Sequence, residues 1–288
     1  MHLAGGLGNQ MFQYAFGLAT AKRLGVLLAL ELSSKFLQIH NGFELENVFK
    51  MQAKLATADD LNAVLGFQRY KVIRRSISAT GLGKILLPRY VEEAHFHFAP
   101  RMMVLPDNIY ISGYWQSERY FQAISADIRS AFSFEQQLNI KNALLVEKIR
   151  KSNSISLHVR RNDYVNNPKV SSAHGVCSLH YYHEAIRYMS EKVSLPQFFI
   201  FSDDIAWAKE NLKFHAPCFY VNHNQGNESH NDMRLMSLCQ HHIIANSSFS
   251  WWGAWLGLNA EKIVVGPKNW FVNSNNIDDL FPHGWVKL

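Results

Sequence analysis

The sequence predicts an α/β protein whose second half forms a parallel, doubly wound sheet. Between residues 155 and 265, apolar strands alternate with amphipathic helices, a pattern typical of parallel sheets with helices on both faces. The strand predicted over 197–201 is continuously apolar from Phe198 to Phe201, as expected for a strand that is buried on both sides. Near the amino end, a glycine turn opens into a helix and a second strand follows over 26–32, which indicates another α/β unit.

Length and composition suit one large or two ordinary domains. The chain has 288 residues, of which 48% are hydrophobic and 18% are charged, enough for a sizeable core. We place the boundary in a polar helix predicted over 134–152, which gives domains over 1–145 and 146–288. The seven Trp and nineteen Phe are suited to surfaces that face carbohydrate or bases, although an aromatic-rich core must take most of them.

The net charge of +6 fits a phosphate-bearing ligand, an anionic membrane surface or nucleic acid, and selects none of them. The densest basic cluster is interleaved with apolar residues, which predicts either an amphipathic patch that touches a membrane or a solvated helix face. Its members are Arg69, Lys71, Arg74, Arg75, Lys84 and Arg89. Other basic residues are dispersed and no RNA- or DNA-binding motif is present, so we expect no nucleic-acid partner.

The cysteines and the apolar segments indicate a reducing compartment. Cys177, Cys218 and Cys239 form no C-x-x-C pair, which argues against a disulfide framework or a structural zinc site. The start lacks the pattern of a signal peptide, and no apolar run reaches the length of a membrane span. We expect a cytoplasmic protein, with peripheral contact at the inner membrane face left open.

The glycine turn at 5–10 reads Gly-Gly-Leu-Gly-Asn-Gln and opens a helix with apolar residues at helical spacing. Backbone amides at such a turn can approach a ligand closely, and a helix start favours anions. The turn is neither a dinucleotide fingerprint, since Met11 replaces the third glycine, nor a P-loop. A tight turn alone explains the glycines but not the amides at positions 9 and 10. Both amides, Asn9 and Gln10, lie at the mouth of the helix, which indicates that they face a ligand there.

The region from 36 to 106 is weakly patterned. Candidate helices lie at 57–65, with Thr57 as its cap, and at 68–78. Residues 109–121 predict a strand, an aromatic turn and a helix. The aromatic turn suits a sugar site by stacking and hydrogen bonding, and it suits core packing equally well.

The second half gives five predicted strands, at 155–159, 197–201, 218–221, 242–245 and 262–265. Helices are predicted at 181–191, 205–212 and 228–241, with another that contains Trp251, Trp252 and Trp255. Polar residues follow three of the strands, at 158–163, 202–204 and 246–250. Because the carboxyl ends of parallel strands share one edge, these groups should converge where open α/β sheets bind ligands.

Each of the three strand ends suggests a distinct chemical part. Arg160 can fork onto a diphosphate, whereas Arg161 can be held by Asp163 as a structural pair. Ser247, Ser248 and Phe249 stand at a helix start, where free N–H groups hold phosphate oxygens, unless the serines are N-caps alone.

The acidic residues near these strand ends are candidates for recognition of the base or ribose. Asp203 or Asp204 can accept a hydrogen bond from either group, while one of the two is expected to cap the following helix. Asp232, near its own helix start, is a similar candidate.

Together these residues predict a diphosphate-nucleotide pocket that uses no metal. The chain has no Asp-x-Asp motif, and the spacing of its 14 His residues does not suit a zinc helix. An arginine and helix-end amides can stabilise the charge of a leaving group in place of Mg²⁺.

At this point a family resemblance is visible. Residues 158–164, His-Val-Arg-Arg-Asn-Asp-Tyr, resemble the H-x-R-R-x-D-Y motif of the α-1,2-fucosyltransferases, glycosyltransferase family 11. Residues 5–15 resemble the amino-terminal motif of that family, and Asp232 with 244–252 resembles the carboxyl-terminal one. The three motifs occur in the expected order over nearly the whole chain, and region 36–106 carries little of the resemblance.

The resemblance implies a GT-B-type fold, with two facing Rossmann-like domains and a cleft between them. Domain 1–145 would be the acceptor side, and domain 146–288 would bind GDP-β-L-fucose. The reaction would invert the anomeric centre and form an α-1,2-fucoside, usually on a terminal galactose of an oligosaccharide, with no cofactor.

The resemblance also implies roles for individual residues. The catalytic set would be Arg160, Asn9 and Asp163, with Arg160 on the β-phosphate and Asn9 near fucose or acceptor. His158 would support nucleotide or sugar, and Asp203 or Asp232 would read guanine. The remaining donor-binding residues would be Arg161, Ser247, Ser248, Phe249, Gly6 and Gly8. The general base is open among Asp163, Glu44, Glu46 and Asp204.

Three other functions remain open from the sequence. Within the enzymes, the alternative is fucosyl transfer with another linkage or onto protein. The other two are a nucleic-acid-binding protein and a sugar-binding module without catalysis.

Overall fold

The computed structural model describes residues 1–33, 36–38, 41–161, 165, 171–172, 175–272 and 276–288. The chain divides into two compact units: unit 1 is Met1–Glu135 with Asp278–Leu280, and unit 2 is Gln136–Ile277 with Phe281–Leu288. The chain therefore leaves unit 2 after Ile277, adds three residues to unit 1 and returns. The boundary after Glu135 precedes position 145, so the helix in which we placed it belongs to unit 2.

Unit 1 contains two small parallel sheets. Strands β1 (His2–Leu3), β2 (Ala29–Leu32) and β3 (Lys54–Leu55) pair in that order, while β4 (Tyr90–Glu92) pairs with β5 (Tyr110–Ser112). The helices are α1 (Leu7–Leu24), α2 (Leu45–Val48), α3 (Ala58–Leu65), α4 (Lys71–Ala79), α5 (Gly83–Leu86) and α6 (Ser125–Ala131). Short 3₁₀ turns occur at Phe36–Gln38, Gly66–Arg69, Pro100–Val104, Glu118–Tyr120 and Gln122–Ile124.

The termini of the unit 1 helices follow local chemistry. Helix α1 ends at Gly25, whose φ of +69° suits a residue without Cβ and closes the last turn. The predicted strand at 26–32 is shorter in the structure because β2 begins only at Ala29 and Leu27 is exposed. Thr57 caps α3 in a reciprocal capping box with Asp60, which confirms that prediction. Phe16 packs its ring 4.7 Å from that of Trp115 in the core.

Unit 2 follows the predicted alternation. Its strands are β6 (Asn153–Val159), β7 (Pro196–Ser202), β8 (Cys218–Val221), β9 (His241–Ile243), β10 (Val264–Gly266) and β11 (Val286–Lys287). Its helices are α7 (Ile140–Arg150), α8 (Leu179–Lys192), α9 (Ile205–Asn211), α10 (His230–Leu238) and α11 (Ser248–Leu256). A 3₁₀ turn lies at Gly226–Glu228. The predicted strand at 262–265 is not the last one, because the two-residue β11 pairs with β10.

The unit 2 sheet is entirely parallel, with strand order β11-β10-β9-β6-β7-β8. Counted along the chain from β6, this is the 3-2-1-4-5-6 order of doubly wound nucleotide-binding sheets. The predicted doubly wound sheet is confirmed. The order also places a topological switch point between β6 and β9. The chain continues from β6 toward one edge of the sheet, to β7, and from β9 toward the other edge, to β10.

Helices cover both faces of the unit 2 sheet. Leu157 and Val159 of β6 share one buried cluster with α8 and with Ala208 of α9. Phe199 and Phe201 of β7 point into a second cluster with α7 and α10. Large aromatic side chains fill these cores and that of unit 1, so the core takes most of them, as the alternative interpretation held. In the described ranges, no helix is long and apolar enough to span a bilayer.

Candidate active site

Two polar strand ends flank the switch point of unit 2. Arg160 and Arg161 follow β6, and Asn246–Ser247 follows the neighbouring strand β9. The third strand end, Ser202–Asp204, completes β7 on the other side of β6. Since ligands of open α/β sheets bind outside the carboxyl ends of strands at such a point, the fold brings the predicted groups to one edge.

Arg160 is oriented by Asp203. The guanidinium Nη1 lies 3.1 Å from Oδ2 of Asp203, while the other carboxylate oxygen accepts the backbone N–H of Arg161 at 2.8 Å. Asp203 thus ties the end of β6 to the end of β7 through both of its oxygens. The sequence suggested Asp203 as a reader of guanine; the structure shows it positioning the arginine pair, and its role toward the base stays a prediction.

Arg161 is held from the opposite side. Its Nε donates to Asp204 Oδ2 at 3.3 Å, and its guanidinium stacks 4.1 Å from the ring centre of Trp207. The other oxygen of Asp204 accepts the backbone N–H of Trp207 at 3.1 Å and caps α9. Arg161 therefore has the scaffold contacts expected of it, from Asp204. Asp163, the predicted partner of Arg161, lies outside the described residues. The catalytic role suggested for Asp163 therefore stays a prediction.

His158 is a buried, uncharged imidazole. Its ring lies 5.9 Å from that of Phe249, and its Nδ1 has no hydrogen-bond partner among the described residues. Burial, assisted by the positive charge of Arg160, lowers the pKa of His158 to about 3. At neutral pH, Arg160 rather than His158 supplies positive charge at this edge of the sheet.

The start of α11 is anchored without a side-chain cap. Ser247 occupies the N-cap position, yet its hydroxyl makes no capping hydrogen bond. Ser250 Oγ instead accepts the N–H of Ala245 and donates to the carbonyl of Ser247, which fixes the turn from β9 into the helix. The interpretation of Ser247 as an N-cap alone is therefore wrong. The first turn of α11, with Ser248 and Phe249, keeps the N–H groups that suit an anion.

A buried amide holds this turn from below. Asn246 donates to the carbonyls of Gly175 and Trp270 at 3.1 and 3.2 Å, and its Oδ1 accepts from Cys177 Sγ at 3.3 Å. Trp251 and Trp252 are fully buried behind it. These contacts explain why an asparagine precedes the two serines, and they make the turn a rigid part of the sheet edge.

Asp232 is part of a polar network that the sequence did not reveal. Asn224 donates to Asp232 at 2.8 Å and also exchanges hydrogen bonds with Asn142, which accepts from His223. Burial raises the pKa of Asp232 to about 7, against the effect of the Asn224 hydrogen bond. Asp232 lies in the first turn of α10, after β8, so it too belongs near the carboxyl edge. The run Asn222–Asn224 directly after β8 was the available signal.

In unit 1, the glycine turn is packed around Asn9. Gly5 has φ of +79°, and a Cβ there would lie 2.5 Å from Asn9 Nδ2, so a side chain is excluded. Gly6 precedes α1, and Gly8 lies buried in its first turn. Asn9 Oδ1 accepts from Gln116 Nε2 at 2.8 Å. Gln116 Oε1 is buried with no hydrogen-bond partner among the described residues, which makes Gln116 a candidate that the sequence missed.

Two further amides of α1 are structural. Gln10 donates to the carbonyl of Gly42 at 2.8 Å and accepts from the N–H of Glu44 at 3.0 Å. Gln13 accepts from the N–H of Ala4 and donates to the carbonyl of Gly113, both at 3.0 Å. The explanation of Gln10 as a ligand-facing amide at the helix mouth is therefore wrong, because its side chain is fully buried in these contacts.

The aromatic turn at 113–117 divides its two rings between core and surface. Glu93 accepts the N–H groups of Tyr114 and Trp115 at 2.6 and 3.0 Å, and burial raises its pKa. Trp115 has φ of +57° and is buried in the core, as the packing alternative proposed. Tyr114 remains exposed and is the ring of this turn that can meet a sugar.

The described candidates for a general base all have structural partners. Glu44 accepts from Asn41 at 3.0 Å, and Glu46 accepts the N–H of Ala53 at 2.6 Å. Asp204 caps α9 and pairs with Arg161. These contacts favour none of the three as the base.

Comparison with known proteins decides the family. The model of "Glycosyl transferase family 11" matches residues 1–288. The chain belongs to this family. The resemblance to this family that the sequence showed is thereby confirmed, and the protein is a glycosyltransferase.

Curated relatives differ in the sugar named. An α-1,2-colitosyltransferase of Escherichia coli is 37% identical over 99% of this chain and 97% of its own length. The O-antigen biosynthesis glycosyltransferase WbnK of Escherichia coli is 35% identical over 99% of each. The galactoside α-(1,2)-fucosyltransferase 2 of Bos taurus is 26% identical over 88% of this chain and 67% of that protein.

Solved structures of low sequence identity share the fold. NodZ α-1,6-fucosyltransferase soaked with GDP-fucose superposes with a TM-score of 0.51 at 17% identity, covering 88% of this chain and 90% of that one. FUT1 of Arabidopsis thaliana in complex with GDP gives 0.53 at 12% identity, covering 99% and 75%. The α/β fold of GT-B type that the sequence predicted is confirmed.

Proposed function

We propose that this glycosyltransferase moves L-fucose from GDP-β-L-fucose to the 2-OH of a terminal galactose, with inversion and without a metal. The observation that carries the proposal is Arg160, held by Asp203 at the switch point of a family 11 sheet. The named activity of the Bos taurus relative and the GDP-fucose soaked into the NodZ structure support the choice of donor and linkage.

The arrangement suits departure of a diphosphate. As the bond between fucose and GDP breaks, negative charge grows on the β-phosphate and positive charge on the sugar ring. Arg160 and the first-turn N–H groups of α11 are oriented donors for that growing charge, and such donors lower the barrier when they bind the transition state more tightly than the substrate. His158, which is neutral, shapes the edge beside Phe249 without adding charge.

The other predicted residues complete the proposal. Asp232 would read the base and Ser247 and Ser248 the phosphates, while Asn9, with Gly6 and Gly8, would serve sugar or acceptor from unit 1. Among the described residues, no three His, Cys, Asp or Glu side chains group to hold a metal ion. Metal independence itself stays a prediction. Asp163 and the identity of the base also stay predictions.

Colitosyl transfer is a second candidate, because the α-1,2-colitosyltransferase relative is more similar to this chain than the Bos taurus fucosyltransferase is. Colitose is fucose without its 3-hydroxyl, so the two donors share the diphosphate chemistry that Arg160 and α11 would serve. A site that hydrogen-bonds the 3-hydroxyl would reject the deoxy sugar strongly, since a buried polar group would be left unpaired.

The test is transfer to lactose and to N-acetyllactosamine from GDP-fucose and, in parallel, from GDP-colitose. Reactions contain EDTA or MgCl₂, and the linkage is determined by NMR. An α-1,2-fucosyl product in EDTA is the expected result, and the Arg160→Ala variant is the negative control. Faster transfer of colitose than of fucose would show that GDP-colitose, not GDP-fucose, is the donor. A linkage other than α-1,2 would show that the acceptor atom is not the 2-OH. No product together with no GDP binding would overturn the site at the switch point.

A further inference from the structure

The net positive charge of the whole chain resides in one segment of unit 1. Residues 61–91 contain six Lys and Arg and no Asp or Glu. Because the chain has 29 Lys and Arg and 23 Asp and Glu, the remainder holds 23 of each and is neutral. A segment that carries the net positive charge of the chain has an electrostatic preference for an anionic partner.

The same segment carries an unusual number of exposed apolar side chains. Helix α4 buries none of its nine residues, and α5 follows it after a short turn. Val72 is 77% exposed and Ile85 is 72% exposed. The other exposed large apolar residues here are Phe67, Tyr70, Ile73, Leu82 and Leu86. Single exposed apolar residues are ordinary, but a cluster of this size within twenty positions marks a binding surface.

Two arginines of this segment, Arg74 and Arg89, make contacts within the protein. Arg74 donates to the carbonyls of Gln68 and Arg69 and stacks 4.2 Å from the ring of Tyr90. Arg89 donates to the carbonyls of Ala63 and Val64 at the end of α3. These contacts tie α4 to the preceding 3₁₀ turn and to β4, and the residue before β4 to α3, so the helices of the segment are fixed relative to one another.

Two other basic residues are left for a partner. Lys71 and Arg75 are exposed and make no ion pair or hydrogen bond with any described residue. They lie one turn apart on one face of α4, beside the exposed Val72. A helix that presents apolar side chains next to basic side chains that have no partner among the described residues matches the boundary between lipid headgroups and acyl chains.

We infer that residues 66–89 form a docking surface for an anionic lipid bilayer, with Val72 and Ile85 entering the interface and Lys71 and Arg75 meeting lipid phosphates. The inference is independent of the donor and acceptor proposed above. A soluble anionic partner would use the charge but not the apolar residues, and a second copy of the chain would use the apolar residues but would bring like charges together.

The test is co-sedimentation with vesicles of phosphatidylcholine, with or without phosphatidylglycerol. The wild-type protein should bind the mixed vesicles, bind neutral vesicles far less, and dissociate as salt is raised. Each basic residue near an anionic surface contributes about fivefold to partitioning, so Lys71→Glu/Arg75→Glu should weaken binding at least about twentyfold. Val72→Ser/Ile85→Ser should weaken it by about tenfold or more.

Matched variants control for charge and hydrophobicity. Lys192→Glu/Lys213→Glu makes the same change in net charge on unit 2, and Ile140→Ser/Leu258→Ser removes two residues that are 81% and 82% exposed. Both controls should bind as the wild type does. All four variants should melt normally and retain turnover on a soluble acceptor, because none of these residues belongs to the donor site.

Four results would overturn the inference. One is failure of the wild type to bind mixed vesicles, and another is equal loss in the control variants. The third is a solution dimer that Val72→Ser/Ile85→Ser dissociates while vesicles are ignored, which would assign the surface to a second copy. Salt-sensitive binding of oligonucleotides without vesicle binding would instead assign it to nucleic acid.

Discussion

The two units reach order by different means. In unit 2, the strands β6 and β7 are seven residues long and mostly buried, with apolar residues alternating along β6 and consecutive in β7, and helices cover both of their faces. In unit 1, the strands have two to four residues, and side chains bond distant backbone groups: Gln10 and Gln13 donate to carbonyls, and Glu93 accepts the N–H of Tyr114. A long apolar strand is an extended signal in the sequence, whereas a glutamine that bonds a carbonyl a hundred residues away gives none.

This contrast predicts where substitutions act. In unit 2 the two buried cores stabilise the sheet independently of the polar residues at the carboxyl ends of its strands. Substitutions of those polar residues should therefore reduce activity before they reduce stability. In unit 1 the hydrogen bonds of Gln10, Gln13 and Glu93 themselves hold the fold together, so substitutions there should reduce stability first. Substitutions at Arg160, Asp232 and Gln13 test that division.

The largest effect is expected for Arg160. Removing a donor that stabilises charge in the transition state costs about 10² to 10³ in rate, so Arg160→Ala and Arg160→Lys should both lose most transfer while melting near the wild-type temperature. Steady-state kinetics with GDP-fucose, or with the donor found active, measures the loss. Arg161→Lys is the matched control and should lose less, since Asp204 and Trp207 hold that residue as scaffold. Near-normal turnover of Arg160→Lys would refute paired donation to phosphate.

A pH-dependent effect is expected for Asp232. Its pKa is raised to about 7 in the folded protein, above the usual value of about 4. Between those values the folded state binds more protons than the unfolded state, so this group lowers stability progressively as pH rises from about 4 to 7. Asp232→Asn should therefore stabilise the protein at pH 8, by on the order of a few kcal/mol, and flatten the pH dependence.

Urea unfolding of both proteins at pH 5 and pH 8 measures this difference. If Asp232 reads guanine, the same variant also weakens GDP binding at pH 8. An unchanged pH profile would contradict the burial of this carboxyl, and unchanged GDP affinity would remove its proposed role without touching the stability result.

The smallest effect is expected for Gln13. Gln13→Met keeps the side-chain volume but leaves the N–H of Ala4 and the carbonyl of Gly113 without their partner, at about 0.5–1 kcal/mol for each hydrogen bond because both backbone groups are only partly buried. Thermal unfolding should show the loss, with turnover falling only in proportion to the folded fraction. Gln122→Met, at an exposed position of the same unit, should change little. Equal melting temperatures of Gln13→Met and Gln122→Met would mean that the hydrogen bonds of Gln13 do not stabilise unit 1.

The same contrast explains what the sequence could predict. Apolar periodicity located every strand from β6 to β10, and the motif residues His158, Arg160 and Ser247 fell where parallel strands end. The sequence could not show that Asp203 pairs with the guanidinium of Arg160, because the two residues are 43 positions apart and follow neighbouring strands. Nor could it show the link from Asp232 to Asn142, since a buried asparagine in a polar helix resembles an exposed one. Residue types indicated the chemistry, but their partners depended on the tertiary fold.

The short return of the chain into unit 1 constrains how this enzyme can be recombined. Asp279 accepts from the N–H of Phe98 at 3.2 Å, accepts the hydroxyl of Ser117 on its carbonyl at 2.7 Å, and pairs with Arg119. A chimera that joins residues 1–135 of this protein to the second half of a relative would receive foreign residues at those contacts. Exchange of unit 1 between family members therefore requires two grafts: the first 135 residues and the tripeptide Asp278–Leu280.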